Sequence, residues 1–344
     1  MFDYDKQIRA YQNEKVRISD NARRDLLDKR KANRDRLIAN LGGTYTLGEN
    51  HFIPQGSVTI WTAIQAADMN YDIDDGVWFH ASELIVKEGG GERELVPIEL
   101  QRIVCNALQD ARFKKQPEVH HNCVRVFYNE GHHVDVPCFR WTNDGTTSGK
   151  LELAATGNKW RLSDPTQINN WFNGRVEALN LLRSDAGKQL RRLVRLLKRF
   201  ATSRGDAWDM PSGLKLMMLA EECLNHSFER DDEAFHILLK NLRVRLSTSL
   251  VVLNRAQQMP QGPLTKGLDD GNMQQLRLHV GEALDHLAIT DNPQCNKKSA
   301  REAWDWVFQS DGFFDDFDSG DDSGSIASSA PNKPFEKATA TRWA

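Results

Sequence analysis

Hydrophobic positions divide the chain into two regions of different texture. Between about residues 44 and 140 short apolar runs alternate with turns, and Asp74–Phe79, Cys123–Tyr128 and His133–Phe139 are predicted strands. The amphipathic segment Pro97–Ala111 predicts a helix between them, because proline suits the first helical turn. Gly89–Gly91 is expected to form a flexible connection from a strand to this helix. This region is therefore expected to be mixed α and β.

From Thr166 to about Phe308 apolar residues recur at spacings of three and four, which predicts helices. The predicted helices are Gln167–Leu182, Gly187–Ala201, Ser212–Ser227, Asp232–Leu250, Asn272–Leu287 and Ser299–Phe308. We therefore expect an α+β protein in which a lobe with a mixed sheet precedes a helical C-terminal lobe. An active-site cleft is expected between the lobes, since clefts of this kind are common ligand sites.

Both ends of the chain are poor in apolar residues. Asp20–Leu41 predicts one long polar helix, with Ser19 or Asp20 as its cap, lying across a larger body. Asp311–Asp322 carries six aspartates, and Ser319–Ala330 is rich in Ser, Gly and Ala, so residues from about 318 onward are expected to be disordered. The predicted domains are an N-terminal helix spanning the lobes (1–43), an α/β core (44–165), a helical lobe (166–310) and an acidic, then disordered, tail (311–344).

Composition excludes several classes of protein. The net charge is -3, from 45 basic and 48 acidic residues, which argues against an extended basic surface for nucleic acid. The cysteines are five in number and form no C-x-x-C pair, a usage that fits reduced thiols. The start of the chain lacks the apolar core of a signal peptide, and the apolar runs are too short to span a bilayer. We expect a cytoplasmic protein that requires no membrane, DNA or RNA.

The segment Tyr71–Asp75 carries the pattern with the clearest chemistry. Residues two apart on a strand face the same way, so Asp72 and Asp74 direct both carboxylates to one point while Ile73 enters the core. Asp135, between two valines on another predicted strand, supplies a third carboxylate. Such a set suits two Mg²⁺ ions, with Mn²⁺ as an alternative, which activate a hydroxyl and stabilise a leaving pyrophosphate.

A second motif, Gln55-Gly56-Ser57, precedes the carboxylates. Glycine lets the backbone approach a ligand closely, and backbone amides together with a serine hydroxyl cradle phosphate oxygens. A helix over about Thr59–Ala67 is expected to add its N-terminal dipole. The sequence contains no G-x-x-x-x-G-K-[ST], so the phosphate site is not a P-loop.

Gly-Ser, Asp-x-Asp and a later strand aspartate, in this order, resemble the signature of polymerase-β-like nucleotidyltransferases. Finer features resemble the bacterial cGAS/DncV-like nucleotidyltransferases (CD-NTases), most of all the DncV-type cyclic GMP-AMP synthases. The resemblance extends from the first helix to about Leu250. Its pieces are Gln55–Ser57, Met69–Gly76, His133–Pro137, Lys159–Pro165, Trp171–Phe172, Leu196–Phe200 and Trp208–Ser212.

The resemblance implies an enzyme that joins NTPs, ATP and also GTP, into a cyclic di- or trinucleotide messenger such as 3',3'-cGAMP. Residues 44–165 would then be the nucleotidyltransferase core, and the messenger would activate an effector in the anti-phage defence called CBASS. Asp72 and Asp74 would bind both metals, and Asp135 would bind metal and align or deprotonate the attacking hydroxyl. The implied nucleotide-binding residues are Gln55, Gly56, Ser57, Lys198 and Ser212.

The resemblance also implies a partner for the C-terminal tail. Phe335 and Trp343 lie near Lys337 and Arg342 in an otherwise polar segment, which is typical of a docking peptide. A ubiquitin-like transferase that conjugates Ala344 is the favoured partner, and a HORMA-type regulator is the alternative. A passive tail remains the simpler interpretation.

Two departures from the DncV-type pattern concern specificity. The residue three places after the motif serine is Ile60, where those enzymes carry an aromatic residue available to stack on a base. The connection from Arg140 to Lys159 is also shorter than expected, so no regulatory pocket is predicted there.

Simpler interpretations exist for other conspicuous residues. The basic face of Lys188–Phe200 is explained equally well by a solvated helix surface as by ligand binding, with Lys198 as the exception. Packing is the favoured interpretation of Trp160 and Trp171. A zinc site is the less favoured interpretation of the following residues, whose spacing matches no standard module: His120, His121, Cys123, His132, His133 and Cys138. The alternative functions are a linear-oligonucleotide or RNA-modifying nucleotidyltransferase, and a non-catalytic, antitoxin-like binding module.

Overall fold

The computed structural model describes residues 1–65, 71–143, 149–155, 159–257 and 262–322. The chain divides into two compact units. The sheet unit consists of Ser19–Trp61 and Gln65–Asn170, and the helical unit consists of Met1–Ile18, Thr62–Ile64 and the residues from Trp171 onward. The segment 1–43, predicted as one spanning helix, is thus divided between the units after Ile18.

A mixed sheet forms the centre of the sheet unit. In the described residues eight strands belong to it: β1 Phe52–Gln55, β2 Asp72–His80, β5 Glu118–Val119, β6 Val124–Phe127, β7 His133–Val136, β8 Cys138–Thr142, β9 Lys150–Ala155 and β10 Lys159–Leu162. Their order in the sheet is β10-β9-β8-β2-β7-β6-β5, with β1 also paired to β2. β2 is parallel to β7 and β8, whereas the other pairs are antiparallel.

The predicted strands are present, with two corrections in this unit. The strand predicted over His133–Phe139 is divided at Pro137, whose nitrogen has no hydrogen to donate to a neighbouring strand. Gly89–Gly91 does not lead into a helix: it turns a hairpin between β3 (Ile85–Glu88) and β4 (Gly91–Glu94), with Gly89 and Gly90 at positive φ. Short-range composition marked the turn correctly but not the strand that follows it.

The helices of the sheet unit are α2 (Asp20–Leu41), α3 (Gly56–Thr59), α4 (Pro97–Ala107) and the first residues of α5 (Pro165–Leu182). The Ser19 hydroxyl accepts from the Ala22 amide, as predicted for the cap of α2. Although α2 is mostly polar, it is tied to the unit by specific contacts. Arg34 donates to Asp75 at 2.5 and 2.6 Å, and Tyr128 donates to Asn33 at 2.9 Å.

The helical unit contains the predicted helices with small shifts at their ends. They are the rest of α5, α6 Ala186–Thr202, α7 Gly213–Glu222, α8 Asp231–Thr248, α9 Gly271–Leu287 and α10 Lys297–Phe308, preceded along the chain by α1 Asp5–Tyr11. α5 and α6 approach closely because Gly187 has no side chain: a Cβ there would lie 2.1 Å from the Val176 carbonyl oxygen. Among the described residues no helix is both long and apolar enough to cross a membrane.

The acidic segment after α10 was predicted wrongly. Residues Phe313–Asp322 form a helix, α11, and Phe313 and Phe314 are buried. Asp318 is also buried, where it accepts from the Tyr4 hydroxyl at 3.1 Å and from Gln7 at 3.0 Å. The polar composition suggested a disordered tail from residue 318, but these contacts come from the opposite end of the chain. The tail residues proposed as a docking peptide, and Ala344, lie outside the described residues.

Candidate active site

The predicted carboxylates come together because of strand register. Asp74 on β2 lies opposite Gln55 of β1 on one side and opposite Asp135 of β7 on the other. Asp72 lies opposite His133 in the same parallel pairing. Ile73, between the two β2 aspartates, is fully buried, as the alternation of the strand predicts.

The three aspartates differ in exposure and in surroundings. The side chain of Asp72 is 38% exposed and that of Asp135 is 9% exposed. Burial, together with the neighbouring carboxylates of Asp135 and Asp72, raises the pKa of Asp74 to about 7. A carboxyl group whose pKa is raised by neighbouring carboxylates lies in a region of excess negative charge, which favours a bound cation.

Gly56 touches the carboxylate site directly. It has a φ of +77°, and a Cβ at this position would lie 2.0 Å from Oδ2 of Asp74. Only glycine fits this combination of backbone conformation and contact. Ser57 follows in the short turn α3, half-buried, so Gln55, Gly56 and Ser57 all lie next to the aspartate strand as predicted.

The helix predicted over Thr59–Ala67 is wrong in its described part. α3 ends at Thr59, and residues 60–65 are not helical, while residues 66 and 67 lie outside the described residues. Trp61 has a φ of +64°, a backbone conformation that is incompatible with a continuing right-handed helix. A helix of four residues supplies too little dipole for phosphate binding, so the backbone amides and the Ser57 hydroxyl are the groups available here.

Arg125 is a residue of this site that the sequence analysis missed. It lies on β6 opposite Asp135, and its Nε and Nη2 donate to Oδ1 and Oδ2 of that residue, each at 2.7 Å. His133 Nδ1 lies 3.2 Å from Asp72 Oδ1. A signal for Arg125 was present, because an arginine between Val124 and Val126 in a hairpin with β7 faces the same side as Asp135.

The side chains of the site have the right chemistry for Mg²⁺ or Mn²⁺, which prefer oxygen ligands. Asp72 and Asp74 share one face of β2, and Asp135 stands directly opposite Asp74. In the conformation described, no three carboxylate, histidine or cysteine side chains of the described residues converge as closely as a bound ion requires. Asp135 is engaged with Arg125, and the excess negative charge around Asp74 is the observation that fits a cation.

Lys198 and Ser212 come together within the helical unit. Lys198 Nζ donates to the carbonyl oxygen of Thr62 at 3.2 Å and to its hydroxyl at 3.4 Å. Ser212 immediately precedes α7, and a Cβ on Gly213 would lie 3.0 Å from Cε of Lys198. Burial, with a smaller effect of Arg195, lowers the pKa of Lys198 to about 8. A desolvated amine beside a helix N-terminus is a favourable place for a phosphate.

The other basic residues of α6 are less solvated than the simple interpretation assumed. Arg192 donates to Asp231 at 2.5 Å, Arg199 donates to the Tyr11 hydroxyl at 2.9 Å, and Arg195 is buried. Arg191 donates to Asn173 at 3.0 Å. These side chains contact other parts of the helical unit, whereas Lys198 Nζ donates to the backbone carbonyl and the hydroxyl of Thr62.

The histidines and cysteines considered for zinc have other contacts. Burial raises the pKa of the Cys123 and Cys138 thiols, which disfavours the thiolate that binds zinc. His132 stacks on Tyr71, with ring centroids 5.3 Å apart. Among the tryptophans, Trp160 lies against the Arg140 guanidinium at 4.5 Å, in keeping with a packing role.

Ile60 is buried, so it offers no surface for stacking on a base. Trp61, the next residue, is 46% exposed, and the Arg23 guanidinium lies 3.7 Å from the centre of its ring. An aromatic ring is therefore present one position later than the DncV-type pattern places it, and it is turned outward by the positive φ of its own backbone.

Comparison with known proteins agrees with this geometry. Residues 50–139, which include the Gly-Ser turn and all three aspartates, match the family model described as cyclic GMP-AMP synthase DncV-like, nucleotidyltransferase domain. This stretch of the chain is therefore similar to a DncV-like nucleotidyltransferase domain. This match confirms the resemblance stated from the motifs, and with it the class of enzyme.

Solved structures show the same fold over nearly the whole chain. The Vibrio cholerae DncV cyclic AMP-GMP synthase in complex with nonhydrolyzable GTP has a TM-score of 0.68 at 17% identity, covering 90% of this chain and 96% of that one. The Bradyrhizobium diazoefficiens CD-NTase CdnG in complex with GTP has a TM-score of 0.67 at 14% identity, covering 93% and 99%. The α+β class with a helical lobe, predicted from the sequence, is thereby confirmed.

Proposed function

We propose that this protein is a metal-dependent nucleotidyltransferase that joins NTPs into a cyclic di- or trinucleotide, with a 3',3'-cGAMP-like product as the leading candidate. The observation that carries the proposal is the set of three aspartates held in register on β2 and β7, with Gly56 against Asp74. Neighbouring carboxylates of this kind suit the two metal ions of phosphoryl transfer and favour an enzyme over a binding module.

Asp72, Asp74 and Asp135 would hold the two metal ions, which supply Lewis-acid activation of a ribose hydroxyl and charge stabilisation of the leaving pyrophosphate. The Asp135 carboxylate would in addition orient that hydroxyl and accept its proton. Gly56 and Ser57 would bind phosphate oxygens of the donor through their backbone amides and the serine hydroxyl. Gln55 begins this turn and completes the donor-binding motif.

Lys198 and Ser212 would bind the triphosphate from the helical unit. The pKa of about 8 leaves Lys198 largely protonated near neutral pH, and a bound polyanion favours its charged form further. Trp61 would offer its exposed ring to a base in place of the aromatic residue that Ile60 replaces. The substrates proposed are ATP, from the family resemblance, and GTP, because the two solved structures compared above hold GTP or an analogue of it.

The biological role proposed is cytoplasmic anti-phage signalling of the CBASS type, in which the cyclic product activates an effector. The segment after α11 would recruit a ubiquitin-like transferase, with Ala344 conjugated, or a HORMA-type regulator. This part of the proposal depends on composition and on the family resemblance.

The test is to incubate the purified protein with the four NTPs and Mg²⁺, and then to treat the products with phosphatase. A cyclic product has no terminal phosphate and survives the treatment, whereas a linear product loses its phosphates. The Asp72→Ala/Asp74→Ala variant should give no product, while Asp28→Ala, exposed on α2, should behave as wild type. Phosphatase-sensitive oligonucleotides would favour the linear or RNA-modifying alternative, and no incorporation at all would favour the binding module.

A further inference from the structure

The third carboxylate of the site is already neutralised by a side chain of the protein. Arg125 and Asp135 are directly opposite each other on the antiparallel strands β6 and β7. Both oxygens of Asp135 accept a hydrogen bond from the guanidinium, at 2.7 Å each. The Asp135 side chain is only 9% exposed and that of Arg125 is 21% exposed, so the pair is shielded from water.

This geometry places Arg125 in competition with a metal ion. A bidentate guanidinium occupies both carboxylate oxygens and compensates most of their charge. An arginine does not lose its proton in proteins, so the pair is broken by movement and not by titration. For Asp135 to coordinate an ion, at least one of the two hydrogen bonds has to be lengthened or exchanged.

The other two aspartates are held less tightly. His133 Nδ1 approaches Asp72 at 3.2 Å on one oxygen, and the Asp72 side chain is 38% exposed. Asp74 is flanked by Asp135 on the neighbouring strand and by the backbone of Gly56. Of these three aspartates, Asp135 is therefore the one bound by a guanidinium.

We propose that Arg125 is a built-in counter-ion of the carboxylate site, which keeps Asp135 oriented in the metal-free protein and weakens metal binding until the pair is exchanged. Arg125 is on this account a positioning residue, and its exchange would place a freed guanidinium inside the site as the cations enter. The proposal depends on the proposed function, because it takes the three aspartates as metal ligands.

The experiment measures Mn²⁺ binding to the full-length protein without nucleotide, by the EPR signal of free Mn²⁺ and by calorimetry. Arg125→Gln should bind Mn²⁺ at least about tenfold more tightly than wild type, since a unit charge a few Å away repels the ion strongly in a partly buried site. The same variant should melt at a lower temperature without metal and regain most of the difference with Mn²⁺.

Two further variants separate this effect from a general loss of structure. Arg140→Gln breaks a matched cross-strand pair, in which Arg140 Nε donates to Glu152 at 2.6 Å, and should leave Mn²⁺ affinity unchanged. Arg125→Lys keeps the charge but cannot hold both oxygens, so its affinity should lie between wild type and Arg125→Gln. If Arg125→Gln does not fold, the lysine variant decides.

A contrary result is that the Arg125 variants bind Mn²⁺ only as tightly as wild type or more weakly, while Asp74→Ala still abolishes binding. That result would overturn the counter-ion role of Arg125 but would still support a metal site at the aspartates. Failure of both the wild-type protein and Arg125→Gln to bind Mn²⁺ overturns the counter-ion together with the proposed metal-dependent function. Tighter binding in both Arg125 variants and an unchanged Arg140→Gln support the proposal.

Discussion

Two groups of aspartates in this protein differ in how completely their charge is compensated. In the helical unit Asp231 accepts from Arg192 at 2.5 and 3.1 Å and from Gln189 at 3.0 Å, and Asp232 accepts from Arg230 at 2.7 Å. Both of these aspartates are fully buried. In the sheet unit, by contrast, three aspartates crowd together, and their mutual repulsion helps to raise the pKa of Asp74.

The difference distinguishes aspartates that stabilise the fold, in the helical unit, from aspartates suited to catalysis, in the sheet unit. Buried ions that each have a hydrogen-bonded partner add to the specificity of a fold, and removing one partner is costly. A cluster that keeps an excess of one charge is a cost to folding, and such clusters concentrate at functional sites. Substitutions in the two groups should therefore affect different properties of the protein.

The largest effect is expected from Asp72→Ala/Asp74→Ala in the carboxylate site. Nucleotide incorporation should fall by several powers of ten, because the metal ions lose their shared ligands. The melting temperature should stay equal or rise, since carboxylate repulsion is relieved. Initial rates with labelled NTPs, and thermal unfolding of the same samples, measure both effects. Residual synthesis above roughly a tenth of wild type would contradict the assignment, because a lost metal contribution exceeds that.

The converse change is Asp231→Ala in the helical unit. It removes the fully buried acid of Arg192 and leaves that guanidinium only the more exposed Asp185, at 2.7 Å, which should lower the free energy of unfolding by about 3–5 kcal/mol. Urea unfolding measures this loss. Below the unfolding transition the metal affinity of the sheet unit should be unchanged. A loss under about 1 kcal/mol, the range of exposed ion pairs, would show that the comparison is wrong.

A smaller effect is expected at Lys198. Lys198→Ala should weaken NTP binding by about 10- to 100-fold, the range for a hydrogen bond to a charged group, and Ser212→Ala by less. Fluorescent-nucleotide titration measures the affinities. Arg191→Ala is the matched control, since this arginine contacts Asn173 on the same helix pair and should be near neutral. Wild-type NTP affinity in both variants would show that Lys198 and Ser212 of the helical unit do not bind the triphosphate.

The smallest effect is expected from deletion of the chain after α11. Because α11 extends to Asp322, the truncation should begin at Ser323, so that the contacts of Asp318 remain. Basal NTP turnover should stay within about twofold of wild type, because chain termini generally tolerate truncation, while capture or conjugation by the partner enzyme should be lost. Loss of basal synthesis in the purified protein would show that the residues after α11 are required for catalysis.

The part of the molecule that sequence predicted best is the part determined by local alternation. Asp72, Ile73 and Asp74 alternate between site and core as a strand requires, and the spacing of apolar residues located the helices of the helical unit. The order of the motifs then identified Asp135 as a partner of these aspartates. Its position directly opposite Asp74 could be seen only from the strand pairing in the structure.

What sequence failed to predict depends on contacts between distant segments or on single backbone angles. α11 is buried by Tyr4 and Gln7 from the other end of the chain, so its own composition was misleading. α3 ends at Thr59, before the predicted end of the helix, and Trp61 just beyond it has a positive φ that the neighbouring residues do not predict. Arg125 was overlooked because its partner is set by a hairpin, although its alternation with valines was visible.

The central claim is that Asp72, Asp74 and Asp135 bind metal ions for transfer of a nucleotide. The most direct measurement is a crystal structure grown with Mn²⁺ and a nonhydrolyzable NTP, with data collected at the manganese edge. The account predicts two anomalous peaks within about 2.0–2.6 Å of carboxylate oxygens of these residues, the range for hard divalent cations. A nucleotide bound with no anomalous peak at the three aspartates would contradict it.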